Sequence, residues 1–358
     1  EMFRRTSRLL PPFELVDEAR LHLLTDAIWS GAISGAVHTD HNNHLRASSE
    51  TVNGAHAVSF AHDDDGLLTG AGPLTLTRSP QNGRVQGLTV GGVVETLTFD
   101  AFGDLDDRVV TANGAPVFAV DVVQRDALGR IVEKTETIGG ETHSYGYSYD
   151  LAGRLDHVYR DGVMVADYDH DANGNRTSLT TPQGQVIGTA DAQDRMETYG
   201  ALSFSYKPSG ELESRTDTAT GATTLYSYDP LGNLRQVTLP GGAVIEYLVD
   251  GRGRRVGKKV NGALVKGWLY RSELRPAAEL EAGGAVAARF VYGERVNVPD
   301  VMIKGGVTYR LVTDHLGSVR LVVDAATGAI AQRIDYDEYG RVLLYDARGG
   351  RSTLAATG

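Results

Sequence analysis

The sequence predicts an all-β protein built from tandem β-hairpins, and three observations carry that prediction. An Asp-x-x-Gly phrase recurs along the chain; aromatic and β-branched residues alternate with small polar ones just before it; and glycine is abundant, at 43 of 358 residues. The phrase is clearest at Tyr145-Gly146-Tyr147-Ser148-Tyr149-Asp150-Leu151-Ala152-Gly153-Arg154-Leu155. It returns at Leu225-Tyr226-Ser227-Tyr228-Asp229-Pro230-Leu231-Gly232-Asn233-Leu234, and again at Ile334-Asp335-Tyr336-Asp337-Glu338-Tyr339-Gly340-Arg341-Val342.

Weaker copies fill the space between, at Asp63/Gly66, Asp100/Gly103, Asp126/Gly129, Asp171/Gly174, Asp250/Gly253 and Asp314/Gly317. Two more are degenerate: Asp191 has Asp194 in the glycine slot, and Gly210 has Lys207 in the aspartate slot. From Asp100 to Asp250 the turns succeed one another at a nearly even spacing, which suits a unit of two short strands and their connections. With 29 aspartates and this share of glycine, about three or four Asp-x-x-Gly matches arise by chance, whereas ten are present. Repetition on this scale is decisive for the fold.

Each slot has a physical role. Tyr, Phe, Val and Thr at alternate positions fit one face of a pleated strand. An aspartate ending that strand can accept hydrogen bonds from backbone N–H groups further on, which fixes a turn. Glycine supplies the positive φ that closes the hairpin, and the aliphatic residue two places on begins the return strand. Val260-Asn261-Gly262-Ala263, Ala112-Asn113-Gly114 and Arg160-Asp161-Gly162 add type I′ hairpin turns, and Asp324–Gly328 a longer loop. The one helical candidate is Phe13–Trp29.

Composition narrows the function classes. No cysteine is present, which removes disulfides, thiolate metal sites and cysteine nucleophiles. A net charge of −11 argues against nucleic acid, whose binding needs Lys and Arg against phosphates. No apolar run approaches the roughly 18 residues of a membrane span. The opening Glu1-Met2-Phe3-Arg4-Arg5 leads into no apolar stretch, so no signal peptide is legible, and a fragment of something longer is expected.

The Tyr-Asp-x-x-Gly-x-Leu units resemble the YD repeats of bacterial Rhs proteins, shared with teneurins and the C component of insecticidal Tc toxins. Phe290-Val291-Tyr292-Gly293, Asn297-Val298-Pro299 and Thr308–Arg320 resemble the Rhs repeat-associated core. The most specific segment is Asp314-His315-Leu316-Gly317-Ser318-Val319-Arg320. The resemblance implies four regions: an N-terminal segment at 1–54, YD repeats at 55–285, the core at 286–343 and a divergent tail at 344–358. It implies a continuous spiralling β-strip forming part of a shell that encloses or presents a C-terminal toxin polypeptide. The expected partners are that polypeptide, further upstream YD repeats and components of a secretion apparatus. Delivery from a bacterium, secreted or at the cell surface, and competition between cells would follow. The family's self-cleavage stretch of the type Asp-Pro-x-Gly-Leu does not follow the core, so the chain is expected not to be an enzyme.

Several clusters invite other chemistry. His38-Thr39-Asp40-His41-Asn42-Asn43-His44 offers zinc-type ligands, but Asp40, Asn43 and Leu45 also fit the turn-aspartate, glycine and aliphatic slots of one more degenerate repeat. Asp63-Asp64-Asp65 resembles a calcium loop without the spaced ligands, and Gly66 completes a turn. Asp314, His315 and Ser318 could suggest a hydrolase, yet Asp314 and Gly317 already hold turn slots. Tyr145, Tyr147, Tyr149, Phe204, Tyr206, Tyr226 and Tyr228 could stack on sugars, which makes a cell-surface carbohydrate module the alternative function; packing within the sheet explains them equally. No cofactor, metal or catalytic residue is expected.

Overall fold

Each Asp-x-x-Gly phrase reverses the chain, and the strands it joins follow one another without interruption. The computed structural model describes residues 23–347 and 350–352. Among them are thirty-two strands in one sheet and no helix. Strands that are neighbours in sequence pair antiparallel, as in Glu141–Tyr149 with Leu155–Arg160 and that strand with Val163–His170. The all-β expectation holds throughout this range. The helical candidate does not: Asp26–Trp29 is a strand paired with Gly35–His41, and residues 13–22 lie outside the described residues. Alternation of Ala27 and Trp29 with exposed Asp26 and Ile28 is a strand's period of two, and pairing along Gly35–His41 satisfies its backbone groups. The expected tail at 344–358 is described only in part, as strands Val342–Ala347 and Gly350–Ser352.

The register slips at the closing of each repeat turn. Ser148 faces His157 while Tyr149 faces Leu155, so one extra residue is accommodated as a β-bulge. The same slip occurs at Asp169/His170, Thr189/Ala190, Ser205/Tyr206, Ser227/Tyr228 and Leu248/Val249. The opposite ends of the hairpins close differently. Asn113-Gly114, Asp161-Gly162 and Asn261-Gly262 all carry two successive positive φ angles, as type I′ turns require.

The chain divides into two compact units, residues 1–94 with 265–358 and residues 95–264. In the first unit, segments far apart in sequence press directly together. A Cβ at Gly35 would lie 2.7 Å from Leu269, and one at Gly267 would lie 2.8 Å from Ile33. The amide of Gly92 donates to the carbonyl of Ala325 at 2.7 Å. Val37, Val52, Leu74, Leu269, Leu280, Val301 and Leu321 are buried here. Within the second unit, Val158, Ala166 and Tyr168 form one core cluster with Tyr147, Leu155 and Leu179 against it.

Candidate functional site

The repeated turn is the element from which any site must be built. In most of them the aspartate Oδ1 accepts two backbone N–H groups, two and four residues on. Asp126 takes Leu128 at 2.9 Å and Arg130 at 3.0 Å; Asp229 takes Leu231 and Asn233, both at 3.0 Å. Asp100, Asp171, Asp250, Asp314 and Asp337 do the same. Asp63 accepts from Leu67, and Asp150 from Arg154. The glycine of each Asp-x-x-Gly copy that keeps both residues in the repeat register has positive φ, from Gly253 at 76° to Gly317 at 97°, including Gly66, Gly103, Gly129, Gly153, Gly174, Gly232 and Gly340. In the degenerate turn at Asp191, Asp194 adopts φ 60° and accepts amide donors from Asn173 and Asn175, each at 2.8 Å.

The residue four after the aspartate was not singled out in the sequence, and it links one repeat to the next. Where it is arginine, it pairs with the turn carboxylate's Oδ2: Arg130–Asp126 at 2.6 Å, Arg195–Asp191 at 2.6 Å and Arg254–Asp250 at 2.7 Å. The Arg130 guanidinium also covers the Tyr149 ring at 4.2 Å, and Arg195 covers Tyr206 at 4.9 Å. Arg154 donates to the carbonyl of Asp171 at 2.7 Å, and Lys207 lies 5.4 Å over Tyr228. The links therefore run without a gap from the turn at Asp126 to that at Asp229. These contacts move the aspartates' acidity. Bonds from Arg130 and Arg195 hold Asp126 and Asp191 below the ordinary carboxylate range, and the side chain of Asn175 does so for Asp171. For Asp100, Asp150 and Asp229 the leading cause is the backbone N–H four residues on. An Arg in the fifth position of the phrase was the available signal, visible at Arg130, Arg154, Arg254 and Arg341.

The His38–His44 segment runs from a strand into a turn, whose register differs from expectation by two residues. Asn42, not Asp40, fills the aspartate slot: its Oδ1 accepts from His44 and Arg46 at 2.9 and 3.1 Å. Leu45, not Asn43, fills the glycine slot, at φ 61°. An asparagine amide oxygen serves as well as a carboxylate for these two bonds, which hides the register from a search for Asp. Asp40 instead lies on the strand, accepting from Ser49 at 2.6 Å and meeting His38 at 3.2 Å. His38 also meets Asp26 at 2.8 Å, and that hydrogen bond raises its pKa.

The Asp314–Arg320 segment forms the same turn. The Asp314 carboxylate is taken up by the N–H groups of Leu316 and Ser318, at 2.9 Å each. Arg320 donates to the Ile334 carbonyl at 3.0 Å and to Asp335 at 2.9 Å, while Leu316 stands exposed. These contacts position a β-turn and a cross-strand arginine. Beside Asp63 and Asp65 lies an open crevice of about 330 Å³, closed on its other side by Arg78–Gly83.

The tyrosine rings carry cations. Besides the pairs above, Lys134 sits 5.1 Å from Tyr145 and 5.9 Å from Tyr147, Arg176 sits 4.8 Å from Tyr199, and Arg255 sits 3.8 Å from Tyr247. The hydroxyls of Tyr149 and Tyr206 donate to the carbonyls of Ile131 and Met196.

The buried ion cluster of the first unit had no sequence signal. Glu50 is 3% exposed and receives Arg289 at 2.5 Å and Arg271 at 3.3 Å, both from strands near the other end of the chain. Arg289 also donates to the carbonyls of Ala277 and Phe290.

These turns, bulges and inter-turn cations define a tandem-hairpin repeat protein whose sheet grows one unit at a time. The chain belongs to the Teneurin YD-shell family, whose profile matches residues 18–347. Mouse Teneurin-3 is 25% identical over 256 residues, covering 69% of this chain and 9% of that protein. The tRNA3(Ser)-specific nuclease WapA of Bacillus spizizenii is 25% identical over 189 residues, covering 51% of this chain and 8% of that protein. The fold matches the Photorhabdus luminescens Tc holotoxin pore at a TM-score of 0.57 and 14% identity, over 88% of this chain and 18% of that one. It matches the TcdB2–TccC3 complex at 0.58 and 14%, over 88% of this chain and 19% of that one. The chain thus spans under a tenth of these curated relatives and under a fifth of the two solved structures.

Proposed function

We propose that this chain is a section of a shell that encloses or presents a toxin polypeptide for delivery from a bacterium to other cells. The observation that carries the proposal is the YD-shell match across residues 18–347. A shell wall needs a long sheet that holds its shape without a helix layer, and the linked turns from Asp126 to Asp229 support that reading. Its partners would be the enclosed polypeptide, neighbouring YD repeats and the export machinery, and its work would be mechanical. No self-cleavage is part of the proposal. A carbohydrate-binding role has less support, because cations already lie over Tyr145, Tyr149, Tyr206 and Tyr228 where a sugar would stack.

The test is limited proteolysis of the complete open reading frame that contains this chain. Polypeptide encoded downstream of the repeats should resist trypsin in native buffer and become sensitive in urea. Equal cleavage in both conditions, or the lack of any downstream polypeptide, refutes the proposal.

A further inference from the structure

We infer that His157 and Asp167 form a surface site for a zinc-class divalent cation, with Asp156 setting the orientation of the ring. His157 lies on the strand Leu155–Arg160, directly opposite Ser148 on one side and Asp167 on the other. Neighbouring residues of a strand ordinarily point to opposite faces. Here the β-bulge intervenes: Ser148 faces His157 and Tyr149 faces Leu155, so Asp156 is the extra residue and joins His157 on one side. Its Oδ2 lies 2.7 Å from Nδ1 of His157, which also has Ser148 Oγ at 3.0 Å.

The other ring nitrogen tells more. Nε2 faces Asp167 Oδ1 at 3.7 Å, too far for a hydrogen bond. Two ligands bound to one zinc at 2.0–2.1 Å with a tetrahedral angle stand about 3.4 Å apart. In the tautomer that donates Nδ1–H to Asp156, Nε2 presents a lone pair toward the Asp167 carboxylate, the arrangement a metal ligand needs. A cation between them would take one bond from each, and a carboxylate on the far nitrogen is the usual support for a metal-binding histidine. One ligand atom from each of the three residues falls within 4.8 Å of the others, and His157 is about a third exposed, so water can complete the coordination.

The cross-strand pair just before the bulge is closed by a hydrogen bond in other repeats, as Ser148 and His157 are here. Ser178 donates to Asp169 at 2.7 Å, Thr189 meets Thr198 at 2.8 Å, and Ser205 meets Ser214 at 2.7 Å. His38 also sits between two carboxylates, but both of its nitrogens are within hydrogen-bond reach of them. Imidazole with carboxylate selects zinc, cobalt or nickel over calcium and magnesium.

Zinc chloride titrated calorimetrically into the full chain tests this. One site is expected, weakened at least tenfold in His157→Asn and in Asp167→Asn, and by roughly tenfold in Asp156→Asn. His38→Asn should bind as the unsubstituted chain does, and calcium should not compete. Circular dichroism checks that each variant is folded. Should a variant not fold, zinc-dependent shifts of the His157 ring resonances in the unsubstituted chain serve instead. Equal zinc affinity with and without His157, loss of binding only in His38→Asn, or no His157 shift overturns the inference.

Discussion

Replacing Glu50 by glutamine should destabilise the first unit far more than any exposed carboxylate substitution. Glu50 is the common partner of two guanidinium groups, and both it and Arg289 are about 3% exposed. Glutamine keeps the volume and removes the charge, which leaves Arg289 to the carbonyls of Ala277, Phe290 and His56 alone. Breaking a buried pair by removing one partner costs about 3–5 kcal/mol, because the other charge stays desolvated. At an m-value of about 3 kcal/mol/M, that is a fall of roughly 1–1.7 M in the urea midpoint. The assay is intrinsic fluorescence, since both tryptophans, Trp29 and Trp268, belong to the first unit and none lies in the second. Glu281→Gln, at an exposed position of the same unit, is the control. The double variant Glu50→Gln with Arg289→Met should recover part of the loss, because no buried charge then faces a neutral partner. A midpoint shift under about 0.3 M for Glu50→Gln, or one no larger than the control's, would refute the argument that this cluster holds the distant strands together.

Leu45→Gly should raise the same fluorescence midpoint, since Leu45 holds φ 61° and glycine removes a penalty of about 1 kcal/mol; a lower midpoint contradicts the register assigned to that turn. Acid should melt the repeats. Asp126, Asp171 and Asp191 are held below the usual carboxylate value by Arg130, Asn175 and Arg195. Their contribution is therefore complete above the unfolded value near 3.8 and is lost as pH falls through the folded values. A melting temperature that stays constant from pH 5 to about pH 2.5 is the refuting result. His38 has the opposite sign: its pKa is raised by Asp26, so its contribution is present below about 6.5 and lost as pH rises through the folded value. Amides of Asp26–Trp29 should exchange faster, beyond the intrinsic pH effect, at pH 8 than at pH 6; equal protection refutes this. Finally, the purified chain should run as one band on a denaturing gel after prolonged incubation, and spontaneous cleavage beyond residue 300 would establish an autoproteolytic activity.

The repeat was legible because it is written in local chemistry. Asp150 and Gly153 each do something that only a few residue types can do, a few positions from one another, so the turn declares itself in any copy that keeps both. Where the chemistry is shared by other residues the signal fades: Asn42 accepts the same two N–H groups as an aspartate, and Leu45 tolerates an angle that glycine would adopt freely. Asp26–Trp29 is too short for its alternation to be distinguished from a helical pattern. The Glu50 cluster was invisible for a different reason. Its partners come from strands near the opposite end of the chain, and nothing local distinguishes Glu50 from an exposed strand glutamate. The Asp156–His157–Asp167 grouping depends on a register slip, which a sequence does not display.

The turn-to-turn contacts have a consequence for how such a chain can change length. From Asp126 to Asp229 each turn touches the next one along through Arg130, Arg154, Arg195 or Lys207, with Asn173 and Asn175 bridging between them. Removing or duplicating one whole repeat there, both strands and their turn together, would present the same kind of contact to a new neighbour. A deletion of half a repeat would reverse a strand and break two such contacts. The first unit has no such freedom, because Glu50 must meet Arg271 and Arg289 across the interval that the second unit occupies in sequence. Insertions and losses in whole-repeat steps should therefore concentrate between residues 95 and 264, while the strands that close the first unit keep their count.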